Sequence, residues 1–272
     1  MARRRSMRRR VLWTSGVLAL LLAVLLAGPA AGERSQFGDV IVSLDGGITP
    51  KRLPRHRLGP VFVHLEGRLQ TADGASLPRV SRIELGLAGP GTLSTAGLPA
   101  CGLQRLRATD NRTALRLCGD ALVGWGRLTA QVVAGDQPPF VVNSKVLAFN
   151  GRIRGMGQTI LMHAFASDPP ISIVLPFLVA HPRRGRLGTV LVGNLPKGIG
   201  TWPRFASFDL TFGRRYVYRG TRHSYLNASC PLPRRFTAGF LPFARASYLL
   251  EDGRRLSRDI VRSCRARPFR RR

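Results

Sequence analysis

The sequence predicts an all-β protein, antiparallel and sandwich-like, with ten or more strands and one short helix. Three observations lead there. Val61, Val63, Leu65, Gly67 and Leu69 recur at period two, with Phe62, His64, Glu66, Arg68 and Gln70 between them, which is the pattern of a strand with one buried face. The 272 residues include 30 glycines and 19 prolines, which cut the chain into strand-sized runs too often for a βα repeat. Four cysteines follow an N-terminal segment of export type, a setting in which sulfurs pair. The length suffices to bury a core in one or two domains.

Residues 1–32 read as a separate unit, a signal peptide or membrane-anchor helix. Arg3, Arg4, Arg5, Arg8, Arg9 and Arg10 form a basic start, an uncharged run follows, and Ala30-Ala31-Gly32 offers small residues for cleavage. Arg8-Arg9-Arg10-Val11-Leu12 also resembles a twin-arginine signal. Uncleaved, residues 11–27 would contact the membrane as an anchor. Either way residues 33–272 are expected outside the cytoplasm, secreted or held on the outer face of the cytoplasmic membrane. Cleavage would remove six arginines and no acid, taking the formal charge from +29 to +23.

Cys101, Cys118, Cys230 and Cys264 allow three connectivities, and proximity favours Cys101–Cys118 with Cys230–Cys264. No C-x-x-C pair or histidine at ligand spacing points to zinc.

Taken in order, residues 33–264 form the exported β-rich domain. Gln36–Leu44 alternates as a first strand, Asp45-Gly46-Gly47 turns, and 49–60 is an exposed basic loop. The period-two run 61–69 follows, then Asp73-Gly74, then a strand marked by Ile83, Leu85 and Leu87. Thr109 or Asp110 caps a helix reaching about Asp120, with Ala114, Leu115, Leu117, Cys118, Ala121 and Leu122 as its apolar stripe. Gly124-Trp125-Gly126 is expected to turn the chain into a strand at Leu128–Val133. Residues 136–139 are a possible boundary between two halves. Strands are expected at Phe140–Phe149, Gln158–Ala166, Ile171–Val179 and Leu187–Val192, with Asn150-Gly151 as a hairpin turn. Phe208, Leu210 and Phe212 alternate with Ser207, Asp209 and Thr211, and Asp252-Gly253 turns a last hairpin ending at Cys264. Residues 265–272 read as a basic tail.

Lys51, Lys145 and Lys197 are the only lysines, so the positive charge is nearly all arginine. Such a field draws polyanions without specifying a nucleic acid, and it is equally the signature of a solvated surface. Residues 201–272 carry +13, and there arginines sit among aromatics. Arg214, Arg215, Arg219, Arg222, Arg234 and Arg235 are the candidate anion-binding residues.

Catalytic motifs are scarce. G-x-S-x-G, H-E-x-x-H and G-x-G-x-x-G do not occur, so no catalytic residue, metal or cofactor is assigned. Glu66 and Glu84 are the one carboxylate pair that neighbouring strands would bring face to face, as glycoside hydrolysis requires. Ion pairing with Arg68 and Arg82 is the alternative.

The set Leu98-Pro99-x-Cys101, then Ala114 to Gly126 as A-x-x-x-C-G-x-A-L-V-G-x-G, Phe149-Asn150-Gly151, and Tyr225 with Cys230 and Cys264 resembles a group of uncharacterised exported actinobacterial proteins. The resemblance implies export and paired cysteines. The expected function is a non-catalytic envelope module contacting anionic surface polymers, lipid headgroups or another envelope protein. The alternative is a secreted hydrolase acting on polysaccharide.

Overall fold

A computed structural model describes residues 33–133, 138–195 and 202–267; the predicted signal or anchor segment lies outside them. Among the described residues no helix is long and apolar enough to cross a membrane. The chain from Glu33 onward is one compact unit.

The unit opens with β1 (Glu33–Phe37), β2 (Val40–Thr49), β3 (Arg52–Leu53), β4 (Gly59–Pro60), β5 (Phe62–Thr71), β6 (Val80–Ala88), β7 (Gly91–Leu93) and β8 (Cys101–Gly102). Helices α1 (Leu103–Leu106) and α2 (Asn111–Cys118) and a 3₁₀ turn (Gly119–Ala121) follow. Then come β9 (Leu122–Val133), β10 (Phe140–Arg152), β11 (Thr159–Ser167), β12 (Pro170–Ala180), β13 (Leu187–Asn194), β14 (Trp202–Phe212), β15 (Arg215–Tyr218), β16 (Thr221–Ser224), β17 (Leu226–Ala228), β18 (Ala238–Leu250) and β19 (Arg255–Ala266).

One sheet dominates, in the order β1-β2-β5-β14-β9-β10-β11-β12-β13-β6-β18-β19-β3, antiparallel throughout except for the two-residue pairings of β3 with β19 and of β8 with β10. The sheet curls until its inner faces meet. Phe205 on β14 stacks on Tyr248 of β18 with centroids 5.7 Å apart, although these strands lie far apart in the sheet order. The buried residues of β2, β5, β6, β14, β18 and β19 form one core between the two walls, so a single curled sheet supplies both layers of the predicted sandwich.

The curl brings β19 against β1 and β2, where side chains link strands that share no ladder. Arg258 bonds Glu33 at 2.8 Å, and Arg262 bonds Asp45 and donates to the Gly46 carbonyl at 2.8 Å. Burial alone would raise the Asp45 pKa, but the bonds from Arg262 and the Gly46 N–H hold it below the ordinary carboxylate range.

Local chemistry explains where the chain departs from its sequence pattern. Gly38, at φ 61°, splits the expected first strand into a β1–β2 hairpin. Asp45-Gly46-Gly47 does not turn; β2 runs through it, and a Cβ on Gly46 would stand 2.4 Å from the His64 carbonyl oxygen. The basic loop is not wholly exposed. Leu53 is buried, and so is Arg55, whose guanidinium donates to the carbonyls of Leu232, Pro233 and Phe236. Asn150-Gly151 lies inside β10, and the chain reverses later, through residues 154–155. On either side of 136–139, β9 and β10 are ladder partners in the same sheet; residues 134–137 lie outside the described residues. The basic tail also begins later, since β19 continues through Arg265 and Ala266.

Both disulfides form as proximity favoured, Cys101–Cys118 and Cys230–Cys264. The first anchors α2, which starts at the Asp110 cap: its carboxylate accepts the Thr113 N–H at 2.7 Å. Ala114 and Cys118 turn inward, while Leu115 and Leu117, expected in the stripe, are exposed. α2 packs with Leu106 on Phe149 and Leu161, which lie on the outer face of β10 and β11. That cover makes β11 buried on both faces.

Candidate functional site

The curled sheet leaves a cavity of about 400 Å³ inside it. Period-two alternation builds the walls: Leu128, Ala130 and Val132 from β9; Val142, Ser144 and Val146 from β10; Met162 and Ala164 from β11; Ile171, Ile173, Leu175 and Phe177 from β12. Val80, Ile83 and Leu85 of β6 face them, together with Phe205, Phe208 and Leu210 of β14. Simple alternation would turn Phe205 away from Phe208. A bulge between Phe205 and Ser207 restores it to the inner face, where it packs at 6.0 Å from Phe208.

Of the residues lining this space, only Arg79, Ser144 and Glu251 are polar. Ser144 sits in the wall. Arg79 and Glu251 pair with each other at 3.6 Å, at the start of β6 and just past the end of β18, and both are partly exposed. The cavity is an apolar chamber with one ion pair at its rim. It can take up apolar surface from water, and no histidine lines it beside Ser144.

A second polar feature lies on the outside of β11. His163 is fully buried beneath the segment leading into α2. Its Nε2 lies 2.9 Å from the Thr109 carbonyl oxygen and 3.0 Å from the Thr109 hydroxyl, and its Nδ1 lies 3.2 Å from the Asn111 side chain. A carbonyl only accepts, so Nε2 donates to Thr109, while Nδ1 faces the Asn111 Oδ1. Burial lowers the His163 pKa, against the opposing pull of the Thr109 carbonyl and Asp110. The folded value lies below the ordinary 6.5, so this ring's contribution to stability is complete above about pH 6.5 and is lost as pH falls below it. Asp39, Asp45, Asp110, Asp252 and Asp259 are all lowered from 3.8, so their contributions disappear only at still lower pH. Urea midpoints measured from pH 7 to 4.5 are therefore expected to fall in the native chain and to stay flatter in His163→Gln; equal slopes would remove His163 as the cause.

The sequence-derived candidates are dispersed. Glu66 and Glu84 do not face each other, because β5 pairs with β2 and β14 whereas β6 pairs with β13 and β18. Glu66 lies opposite Asp45 and Asp209, and Glu84 bonds Arg82 at 2.8 Å. Glu66 and Glu84 are therefore not assembled as a pair. On the exposed face of β5 and β14, His64 Nε2 lies 2.8 Å from Asp209 Oδ1. Among the described residues no cluster of histidine, cysteine and carboxylates could hold a metal ion.

Of the six candidate arginines, Arg214 turns back onto the chain, donating to the carbonyls of Gly119, Asp120 and Leu122. Arg215, Arg219 and Arg222 share the β15–β16 hairpin. Arg215 lies over Phe62 at 5.8 Å and Arg219 over Tyr218 at 5.2 Å. Tyr216 stacks on His223 at 5.5 Å. Arg234 and Arg235 are exposed on the separate turn before β18.

No protein-family model, curated protein or solved structure matches the chain. Alternation already turned most of the cavity residues inward. The missed signal was size: Ala130 and Ala164 occupy wall positions where a larger side chain would have filled the space.

Proposed function

We propose that this is an exported, non-catalytic binding protein that holds an apolar small molecule inside its curled sheet. The cavity of about 400 Å³ carries the reading, since its volume falls within the ~300–1,000 Å³ of small-molecule sites and nearly all its lining is aliphatic or aromatic. Export rests on the basic, apolar and small-residue order of residues 1–32, and both disulfides are consistent with an oxidising location. Titration of the purified chain with Nile red, an uncharged fluorophore, is expected to saturate at one site. Ala164→Leu fills the wall and is expected to weaken binding at least tenfold without lowering the melting temperature. Absence of saturable binding, or indifference to Ala164→Leu and Ala130→Leu alike, would refute the reading.

A second reading concerns the outside. The β15–β16 hairpin presents Arg215, Arg219 and Arg222 with Tyr216, Tyr218 and the highly exposed Val217, a composition suited to anionic envelope polymers or lipid headgroups. Retention on anionic vesicles or wall fractions, abolished by high salt and reduced by Arg219→Gln with Arg222→Gln, is the expected result. Salt-insensitive release into the medium would count against it.

A further inference from the structure

Resting on the cavity reading, we infer that the occupant is a single-chain amphiphile with an anionic head, its chain in the chamber and its head on Arg79. The chamber distinguishes its own ends. Phe205, Phe208 and Leu85 line it, and its two charges, Arg79 and Glu251, lie together at the rim. The Glu251 N–H donates to the Arg79 carbonyl at 3.0 Å, which fixes both residues at the same point of the mouth.

The ion pair is built to be exchanged. Its one approach is 3.6 Å, long for a charge-assisted bond, and among the described residues it is the guanidinium's sole ionic contact. The side chains are 51% and 39% exposed, so a ligand's head can reach Arg79 from water while its chain lies inside. A carboxylate or phosphate matches the guanidinium fork in two parallel bonds, better than Glu251 does here. The sign follows from the field: a chain of charge +29 draws anions to its openings and repels cations. A cationic head on Glu251 is therefore disfavoured. The volume lies at the low end of the range for small-molecule sites, which suits one chain rather than two.

Displacement of bound Nile red by palmitate and by 1-hexadecanol isolates the head. Both offer the same chain, and palmitate is expected to compete at a concentration at least tenfold lower. Arg79→Gln should erase that difference, Glu251→Gln should strengthen palmitate a few-fold, and Arg154→Gln, an equal loss of charge at an exposed site, should preserve the difference. Equal competition by acid and alcohol in the native chain, or an advantage that survives Arg79→Gln, overturns the head-group assignment and leaves the cavity reading standing. Failure of both competitors, with Nile red binding indifferent to Ala164→Leu, overturns the cavity reading itself. Vesicles of phosphatidylglycerol carry an anionic head on two chains; displacement by them at lower lipid concentration than palmitate overturns the single-chain assignment.

Discussion

Gly126→Ala is expected to destabilise the protein by about 3 kcal/mol, and Gly126→Val by more than about 4 kcal/mol. Gly126 lies mid-strand in β9, opposite Leu210 of β14 and Val146 of β10. A Cβ there would stand 2.0 Å from the Asp209 carbonyl oxygen and 2.9 Å from the Leu210 Cα, both backbone atoms that no rotamer change can move aside. The strand must shift, and the shift is transmitted to neighbours on both sides. Gly124 approaches β14 in the same way, 2.7 Å from the Thr211 carbonyl oxygen. Against a typical domain stability of ~5–15 kcal/mol, the valine variant removes a large share of the folding free energy. Gly102 is the control: an added Cβ meets nothing within 4 Å, and φ is −84°, so Gly102→Ala should fall within about 0.5 kcal/mol of the native chain. Urea unfolding at constant pH measures all three, and a Gly126→Ala midpoint matching that of Gly102→Ala would show that the close approach of β9 to β14 carries no such load.

Gly126 also shows what the sequence could and could not disclose. Two glycines around Trp125 read as a turn, because turns are the commonest reason for paired glycines. Here they admit a neighbouring strand, and that neighbour, β14, lies some eighty residues downstream. The same holds for Gly151, whose added Cβ would stand 2.6 Å from Leu161 Cγ inside a ladder where Asn-Gly promised a reversal. Alternation survived because it is local: the buried face of β5 follows the pattern residue by residue, and in β6 Ile83 and Leu85 keep it. Pairing is not local. Nothing near Glu66 or Glu84 says that β5 seeks β14 while β6 seeks β13 and β18, and the carboxylate pair failed for that reason. The cavity was hidden twice over, since a void is a shortage of atoms contributed by several strands at once, and a one-residue bulge decides that Phe205 faces it. The cysteine pairing was legible because short loops favour their own closure, and the helix cap because Asp110 acts on a neighbour three residues away.

The two bridges are expected to differ in effect. In the chain-entropy account, opening the 17-residue Cys101–Cys118 loop costs about 3 kcal/mol and opening the 34-residue Cys230–Cys264 loop about 4 kcal/mol. Their places in the fold widen the gap. Cys101 and Cys118 secure helices that sit on the outside of β10 and β11, so their loss frays a covering layer first. Cys264 lies near the end of β19, which has a full ladder with β18 on one side but only the two-residue β3 and the Arg258 and Arg262 bonds on the other. The bridge fastens that strand to the segment that follows β17, whose Cys230 N–H donates to the Pro54 carbonyl in the loop after β3. Without it, the seam between β19 and the β1–β2 hairpin rests on ion pairs that acid and salt both weaken. The double variant Cys230→Ala with Cys264→Ala should therefore unfold at lower urea than Cys101→Ala with Cys118→Ala, and its midpoint should be the more sensitive to added salt. A larger loss from the Cys101–Cys118 variant, or equal salt dependence in the two, would mean that the curled sheet closes without help from the Cys230–Cys264 bridge.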